Sequence, residues 1–399
     1  MMQRTGRYIV FAVLLTLCGT MAYGSESAKA FFFRIGERID ALVLKDLDTT
    51  YIALPEHSWR LALNSGSEGI HNSYTTWADL GTPVTLKSQS MPSVDLGFNA
   101  GYRGFGGGYS WDLMNAYSTN WHLAFGSKII GVEFQRNITT NLSGRFFVDG
   151  VLDPTAPTLN KNEWRIANTS LAAWYALNAK HYSHNAAIKQ SYIQKKSAGS
   201  LLLSVAYMSS QMQIIDSDKY LKDEDVLTLI DGVKGMITRQ VAAGIGYGIN
   251  YTPNHGKVLL HASANMQLVF YSINHVMYAT PDSVYLPGEP NYALYPAKPL
   301  HVTGNLRAAV SWEINEWVHL SAWAQGNHLR FASKGGQLSA MDIRNWDWQA
   351  HLTIGVRFGA GKKRVREVLG EIPAADRPEL LPRQNRLPQW ISDYFFAPL

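Results

Sequence analysis

The chain has 399 residues and is 46% apolar, enough for one large core, while only 17% is charged and 12% is aromatic. A net charge of +5 is mild at this length, and no basic patch with interleaved aromatics stands out, so nucleic acid is not an expected partner. A low charge fraction with many aromatics suits a surface that faces lipid.

The first 24 residues read as a signal peptide. Arg4 and Arg7 are its positive region, Tyr8–Leu17 its apolar stretch, and Ala22-Tyr23-Gly24 a small-x-small cleavage site. Leu15-Thr16-Leu17-Cys18 also has the outline of a lipoprotein signal, but Leu17 is too bulky for the position before a lipidated cysteine. Cys18 is the only cysteine, so cleavage after Gly24 leaves none, and disulfides or cysteine-based metal and redox chemistry are then excluded.

Residues 25–58 form a lead-in. Phe32, Ile35, Ile39 and Leu42 have helical spacing within 31–47, which predicts a short amphipathic helix on the periplasmic side. Residues 59–358 then alternate with a period of two. Strands are predicted near 59–67, 93–101, 104–111, 121–134, 142–151, 167–178, 199–214, 238–252, 258–274, 300–315, 317–330 and 346–358.

The last of these shows the pattern best. Trp346, Trp348, Ala350, Leu352, Ile354, Val356 and Phe358 fall on one face; Asp347, Gln349, His351, Thr353, Gly355 and Arg357 fall on the other. The run near 300–315 repeats it. Soluble strands average about 5–6 residues, whereas crossing hydrocarbon at a tilt takes about 9–11. An open sheet edge cannot persist in lipid, so the expected fold is all-β: a closed antiparallel transmembrane barrel of about twelve strands.

The connections agree with this. Tyr102-Arg103, Pro253–Lys257 and Asn315-Glu316 are short and read as periplasmic turns. The gaps 68–92, 152–166, 215–237, 275–299 and 331–345 are long and read as outer loops. Trp59, Tyr102, Tyr251, Trp312 and Phe358 are expected at the inner interface, and Trp111, Trp121, Phe270 and Trp346 at the outer one. An even strand count leaves both termini in the periplasm. Residues 359–399, with Lys362, Lys363, Arg364, Arg366 and several prolines, read as a basic periplasmic tail.

One inner gap departs from the pattern. Residues 180–198 are nearly twenty where a turn of a few is normal, and they could fold up into the lumen as a plug carrying His181, Gln190, Gln194, Lys195 and Lys196. The glycine rows Gly104, Gly106, Gly108 and Gly244, Gly246, Gly248 would either make room for it or supply curvature. The expected lumen lining is Arg60, Asp95, Lys128, His261, Asn265, Arg307, Glu313, Asp347, His351 and Arg357. Mixed charges in a narrow barrel pair with one another, which favours a filled lumen over a wide pore.

Candidate chemistry is sparse. A serine nucleophile needs a histidine within hydrogen-bond reach, and i, i+2 on a strand puts both on one face. The pattern occurs three times, at His181/Ser183, His261/Ser263 and His319/Ser321, and lipid hydrolysis would require such a pair to face lipid. His181 and His184 lack further ligands at metal-site spacing. The acidic run Asp216, Asp218, Asp223, Glu224 and Asp225 lacks the glycine and closing glutamate of a calcium loop. No catalytic residue, cofactor or metal site is assigned; the expected partners are outer-membrane lipid and the barrel assembly machinery, which would read the aromatic strand ending at Phe358.

The segment Asn178–Ser200, above all Ser191-Tyr192-Ile193-Gln194-Lys195-Lys196-Ser197-Ala198-Gly199-Ser200, resembles a family of Bacteroidetes outer-membrane proteins known only as a domain of unknown function. Asp48-Thr49-Thr50-Tyr51-Ile52 and Gly101-Tyr102-Arg103-Gly104 share the likeness, which spans roughly residues 45–358. It implies a barrel and a compartment but no activity. Three classes of role stay open: a non-enzymatic envelope barrel or narrow conduit, a lipid hydrolase, and adhesion through the outer loops.

Overall fold

The computed structural model describes residues 48–77, 82–91, 93–115, 118–127, 129–156, 158–215, 233–253, 257–278, 292–296, 301–333 and 341–359. The signal peptide, the 31–47 helix, Lys128, the acidic run 216–225 and the tail beyond Gly359 lie outside the described residues.

Twelve long strands close into one antiparallel barrel. In chain order they are β2 (Trp59–Trp77), β4 (Asp95–Tyr102), β5 (Phe105–Asp112), β6 (Thr119–Gly126), β7 (Ile130–Thr139), β10 (Trp164–Ala176), β12 (Ala198–Ile214), β13 (Val233–Tyr251), β14 (Val258–Tyr278), β16 (His301–Glu313), β17 (Val318–Ser333) and β18 (Met341–Phe358). Each pairs with the next, and β18 pairs with β2 from Phe358↔Trp59 to Met341↔Thr76, which closes the ring. Closure leaves no open edge, the condition for a sheet in hydrocarbon.

The predicted count of twelve holds, but through two offsetting differences. The run expected as one strand over 121–134 is two strands, β6 and β7, joined by a tight turn in which Ser127 N–H donates to the Ile130 carbonyl at 2.8 Å. The run expected as a barrel strand over 142–151 is β8 (Leu142–Val148), which pairs with β3 (Pro83–Ser90) and with the short β9 (Val151–Leu152), outside the twelve. Part of the gap expected as an outer loop, 68–92, is also strand. Along β2 the partner changes: Trp59–Gly66 pair with β4, and His71–Trp77 pair with β3. The short β15 (Tyr292–Pro296) adds to the outer half of β14.

Alternation sorts the faces as expected. On β18, Trp346, Trp348, Leu352, Ile354 and Val356 are exposed outward, while Gln349, His351 and Arg357 are buried in the lumen. Leu63, Leu123, Leu201, Ile245, Met266 and Leu306 continue the outward apolar surface round the ring. A contiguous apolar surface of this extent is untenable in water and is what lipid contact requires. Trp59 bridges the inner girdle, its ring 4.7 Å from Tyr102 and 6.3 Å from Phe358. A bulge between Val241 and Ala242 of β13 skips Phe270 in the β14 register, so Phe270 and Tyr271 both face outward.

Candidate functional site in the barrel lumen

The segment between β10 and β12 lies inside the ring at the end where Trp59 and Phe358 meet, the inner end in the orientation expected from the sequence. Asn178 starts it: its N–H donates to Ser200 Oγ at 2.9 Å, and its side-chain amide to the Gly199 carbonyl at 2.8 Å. A turn follows, in which Tyr182 N–H donates to the Asn178 carbonyl. Then comes one helical turn, α1 (Asn185–Ile188). A helix this short has no stability of its own in water. It exists here because Ala186 and Ala187 pack against Leu259 and Ala309 of the wall and against Ile52 and Tyr192. Gln190 ends it with φ near +50°, the left-handed conformation that redirects the chain.

The segment then returns as β11 (Ile193–Gln194), paired with β1 (Ile52–Ala53) in the lead-in. This small sheet ties the N-terminal side of the barrel to the 178–197 segment across the inner mouth.

Among the residues expected to form a plug, the structure puts Gln190 and Gln194 inside and the other three at the rim. Gln194 is the central node. Its Oε1 accepts from Ser183 N–H at 3.0 Å and from Asn250 Nδ2 at 3.0 Å; its Nε2 donates to the carbonyls of His181 and Lys196. His181 sits at the mouth, with Nε2 3.3 Å from Asp48 Oδ2. The Thr50 hydroxyl holds the Asp48 carboxyl below its usual range, and His181 adds to this. Lys195 donates to the Thr49 carbonyl at 3.0 Å, and exposed Lys196 lies over the Tyr51 ring.

The sequence reading missed Tyr182, Asn185 and Lys189, and weighed Ser183 and His184 only for catalysis or metal binding; all five are buried or anchored in the segment. Asn185 donates to the Ser127 carbonyl at 3.1 Å. Lys189 and Arg307 both face Glu133, at 4.0 Å and 2.8 Å. Arg357 binds Glu313 through both guanidinium nitrogens and also reaches the Gln190 carbonyl. Two anionic wall residues therefore hold three cations, one of which is on the segment itself. A signal was present for one contact. At Gly248, a Cβ would collide with Tyr182 Oη, so the glycine makes room for the segment. Gly126, unflagged in the sequence, does the same for Asn185. Gly106, Gly108, Gly244 and Gly246 instead meet neighbouring wall residues.

Above this segment the lumen is polar. Glu68 accepts from Asn120 and Asn137 at 3.1 and 3.0 Å, and Asp347 accepts from Asn327 and Asn168. Asp95 is buried opposite Asp112 on β5, Asn265 accepts from Ser204 at 3.2 Å, and His351 stacks on Trp323. Most of these groups find amide or hydroxyl partners, as buried polar atoms must.

The outer end is apolar. Ile70, Tyr74, Leu86, Leu142, Phe146, Leu159, Trp164, Ile166, Met212, Phe331 and Ile343 form one buried cluster on the lumen side. Leu86 comes from β3 and Leu142 and Phe146 from β8, so these two strands help close the outer mouth.

Of the three His-x-Ser pairs, one is bonded. His261 Nε2 lies 3.2 Å from Ser263 Oγ, and His261 Nδ1 lies 2.8 Å from Asn250 Oδ1. The Asn250 amide nitrogen is committed to the Ser183 carbonyl and to Gln194, so its oxygen accepts from His261 Nδ1–H. That leaves Nε2 to accept from the Ser263 hydroxyl, the tautomer a general base would need. The pair faces the lumen, however, and His261 also packs against the His184 ring. His181 and His184 do not converge, since His184 packs on Trp174 and His261 while His181 turns to the rim. Glu56, His57 and Glu316 gather at the inner rim with ligand atoms within 4.8 Å of one another. There His57 Nδ1 donates to the Gly359 carbonyl and its ring stacks on Trp317, which fastens the lead-in to the end of β18.

Among solved structures the chain is similar to the outer membrane protease OmpT of Escherichia coli, at 8% identity and a TM-score of 0.37, covering 78% of this chain and 100% of that one. It is also similar to the translocator domain of the autotransporter NalP of Neisseria meningitidis (10% identity, TM-score 0.30, 85% and 99% covered) and to the toluene transporter TodX of Pseudomonas putida (7%, 0.26, 75% and 90%). Likeness at this level carries nothing about activity. No curated protein matches. The family described as Domain of unknown function (DUF4421) matches residues 46–358, the end of the lead-in and the whole barrel, and the chain belongs to that family.

Proposed function

We propose that this protein spans the outer membrane as a barrel shut at both ends, with both termini in the periplasm, and that it serves the envelope without catalysis. The observation that carries this reading is the position of residues 178–197, docked in the inner end of the lumen by Gln194, Lys189 and Arg357. A small-solute conduit on this scaffold would have to displace that segment. The Bacteroidetes origin rests on the sequence resemblance alone, and lipid and the assembly machinery are the proposed partners. Planar-bilayer recording of the purified chain tests the reading: the unmodified barrel gives no steady conductance, and a steady open level in the unmodified barrel would overturn it.

The Asn250–His261–Ser263 chain supports a second reading, a hydrolase acting inside the lumen. A fluorophosphonate probe decides between them. Covalent labelling of Ser263, lost in Ser263→Ala, would favour the hydrolase; no labelling favours the envelope barrel. Adhesion through the outer loops rests on their length only.

A further inference from the structure

On the outward face of five adjoining strands, the register lines up a row of cations. Arg330 of β17 is opposite Arg344 of β18, Arg344 opposite Ser73 of β2, Ser73 opposite Lys87 of β3, and Lys87 opposite Arg145 of β8. At about 4.8 Å per strand the row runs for about 20 Å. Two residues nearer the membrane, about 7 Å along the strands, lies a second row: His328, Trp346, His71, Gln89 and Ser143. Below that come Trp348, Leu352, Ile354 and Val356, all exposed. The order along the barrel is thus apolar band, then tryptophan and small polar groups, then cations.

The row carries more positive charge than it neutralises. Asp342 binds both Arg330 and Arg344. Lys87 and Arg145 stand directly opposite each other, both exposed, and among the described residues neither has an ion-pair partner. Like charges directly opposed across two strands are destabilising. The Phe147 ring, 4.1 Å from Lys87 Nζ, relieves this in part, and a counter-anion in the concavity lined by Ser73, Lys87, Gln89, Arg145, Arg344 and Trp346 would relieve it further.

We infer that this face binds the phosphorylated sugar headgroup of a glycolipid in the outer leaflet. The cations suit phosphate oxygens, to which lysine and arginine make charge-assisted bonds. Ser73, Gln89 and His71 suit sugar hydroxyls, and the Trp346 ring suits a sugar face. The acyl chains would run down the apolar band below. An ordinary anionic phospholipid satisfies the cations alone and leaves the hydroxyl and amide groups unused.

The inference rests on the membrane orientation proposed above, and the test separates the two. The full chain is folded into detergent and examined by native mass spectrometry with a phosphorylated disaccharide lipid, the same lipid after phosphatase treatment, phosphatidylglycerol, and free inorganic phosphate. The phosphorylated glycolipid is retained; the other three bind at least about tenfold more weakly. Lys87→Gln with Arg145→Gln lowers retention by about tenfold or more, as expected for two lost charged hydrogen bonds. Arg239→Gln, an exposed cation on β13, leaves it unchanged. Equal retention by the double variant, by the dephosphorylated lipid or with phosphatidylglycerol overturns the inference. Insertion into vesicles and heat-modifiable gel migration are followed in parallel: a chain that fails to insert defeats the membrane reading, whereas one that inserts but keeps the lipid in the double variant defeats only this one.

Discussion

Gln194 shows how one side chain can fix a buried segment. It is 1% exposed, and its amide satisfies two donors and at least two acceptors from four different residues. Replacing it with alanine takes away the side-chain partner of Ser183 N–H and of two carbonyls, and leaves the Asn250 amide with only the Ser183 carbonyl. Each such loss costs about 1–3 kcal/mol, partly offset where water can enter from the mouth, so Gln194→Ala should destabilise the docked segment by about 2–4 kcal/mol. Limited proteolysis within 180–198 is the readout: wild type resists cleavage, and the variant is cut while the barrel stays intact. Gly248→Val should act by bulk instead, pushing on Tyr182 and costing about 1–3 kcal/mol in the thermal unfolding of the barrel. An unchanged melting temperature would mean that the Tyr182 contact is not formed. The period-two glycines made Gly248 legible in the sequence. Gly126 was not, because it stands alone at the end of β6 with no second glycine two residues away.

At the scale of elements, the two misread strands have different physical causes. Across 121–134 the alternation runs on through a three-residue turn that has neither proline nor an Asn-Gly pair, so period alone could not place the break. The run over 142–151 is a strand, and its error lay in the partner. Its polarity carried the missing information. In the membrane strands the apolar side chains point out and the polar ones in. On β8, Leu142 and Phe146 point in and Arg145 points out; on β3, Leu86 points in and Lys87 out. The same inversion begins at Ile70 and Tyr74 of β2. Inversion of the pattern marks where the wall leaves hydrocarbon and its inner face starts to build a core. The ion-pair elements also yield a prediction. Glu133 holds both Arg307 and Lys189, so Glu133→Gln strands two largely buried cations, whereas Lys189→Met removes only one arm. Breaking a buried pair costs about 3–5 kcal/mol, so Glu133→Gln should be the more damaging of the two by at least about 1 kcal/mol, measured in urea unfolding followed by gel migration. Equal effects would show that Lys189 is solvated and contributes little to docking.

At the scale of the molecule, the lumen is closed twice by different means. The inner closure is polar and local: about twenty consecutive residues held by amides and ion pairs. Its length made it visible in the sequence. The outer closure is apolar and non-local, assembled from β2, β3, β8, β10, β12, β13, β17 and β18, and nothing in the order of residues announces it. The two should therefore behave as independent seals in series. Deleting 180–198 alone leaves the apolar cluster in place and the barrel non-conducting. Leu86→Ser with Phe146→Ser loosens the cluster but leaves the inner segment docked, and again no steady current passes. Only the combined variant conducts, because only it offers a continuous water path. Planar-bilayer recording of the four proteins checks this, with heat-modifiable migration confirming that each barrel is closed. A steady current from the deletion alone would show that the outer cluster does not seal; silence from the combined variant, with the barrel folded, would show that the polar mid-lumen network itself blocks the path.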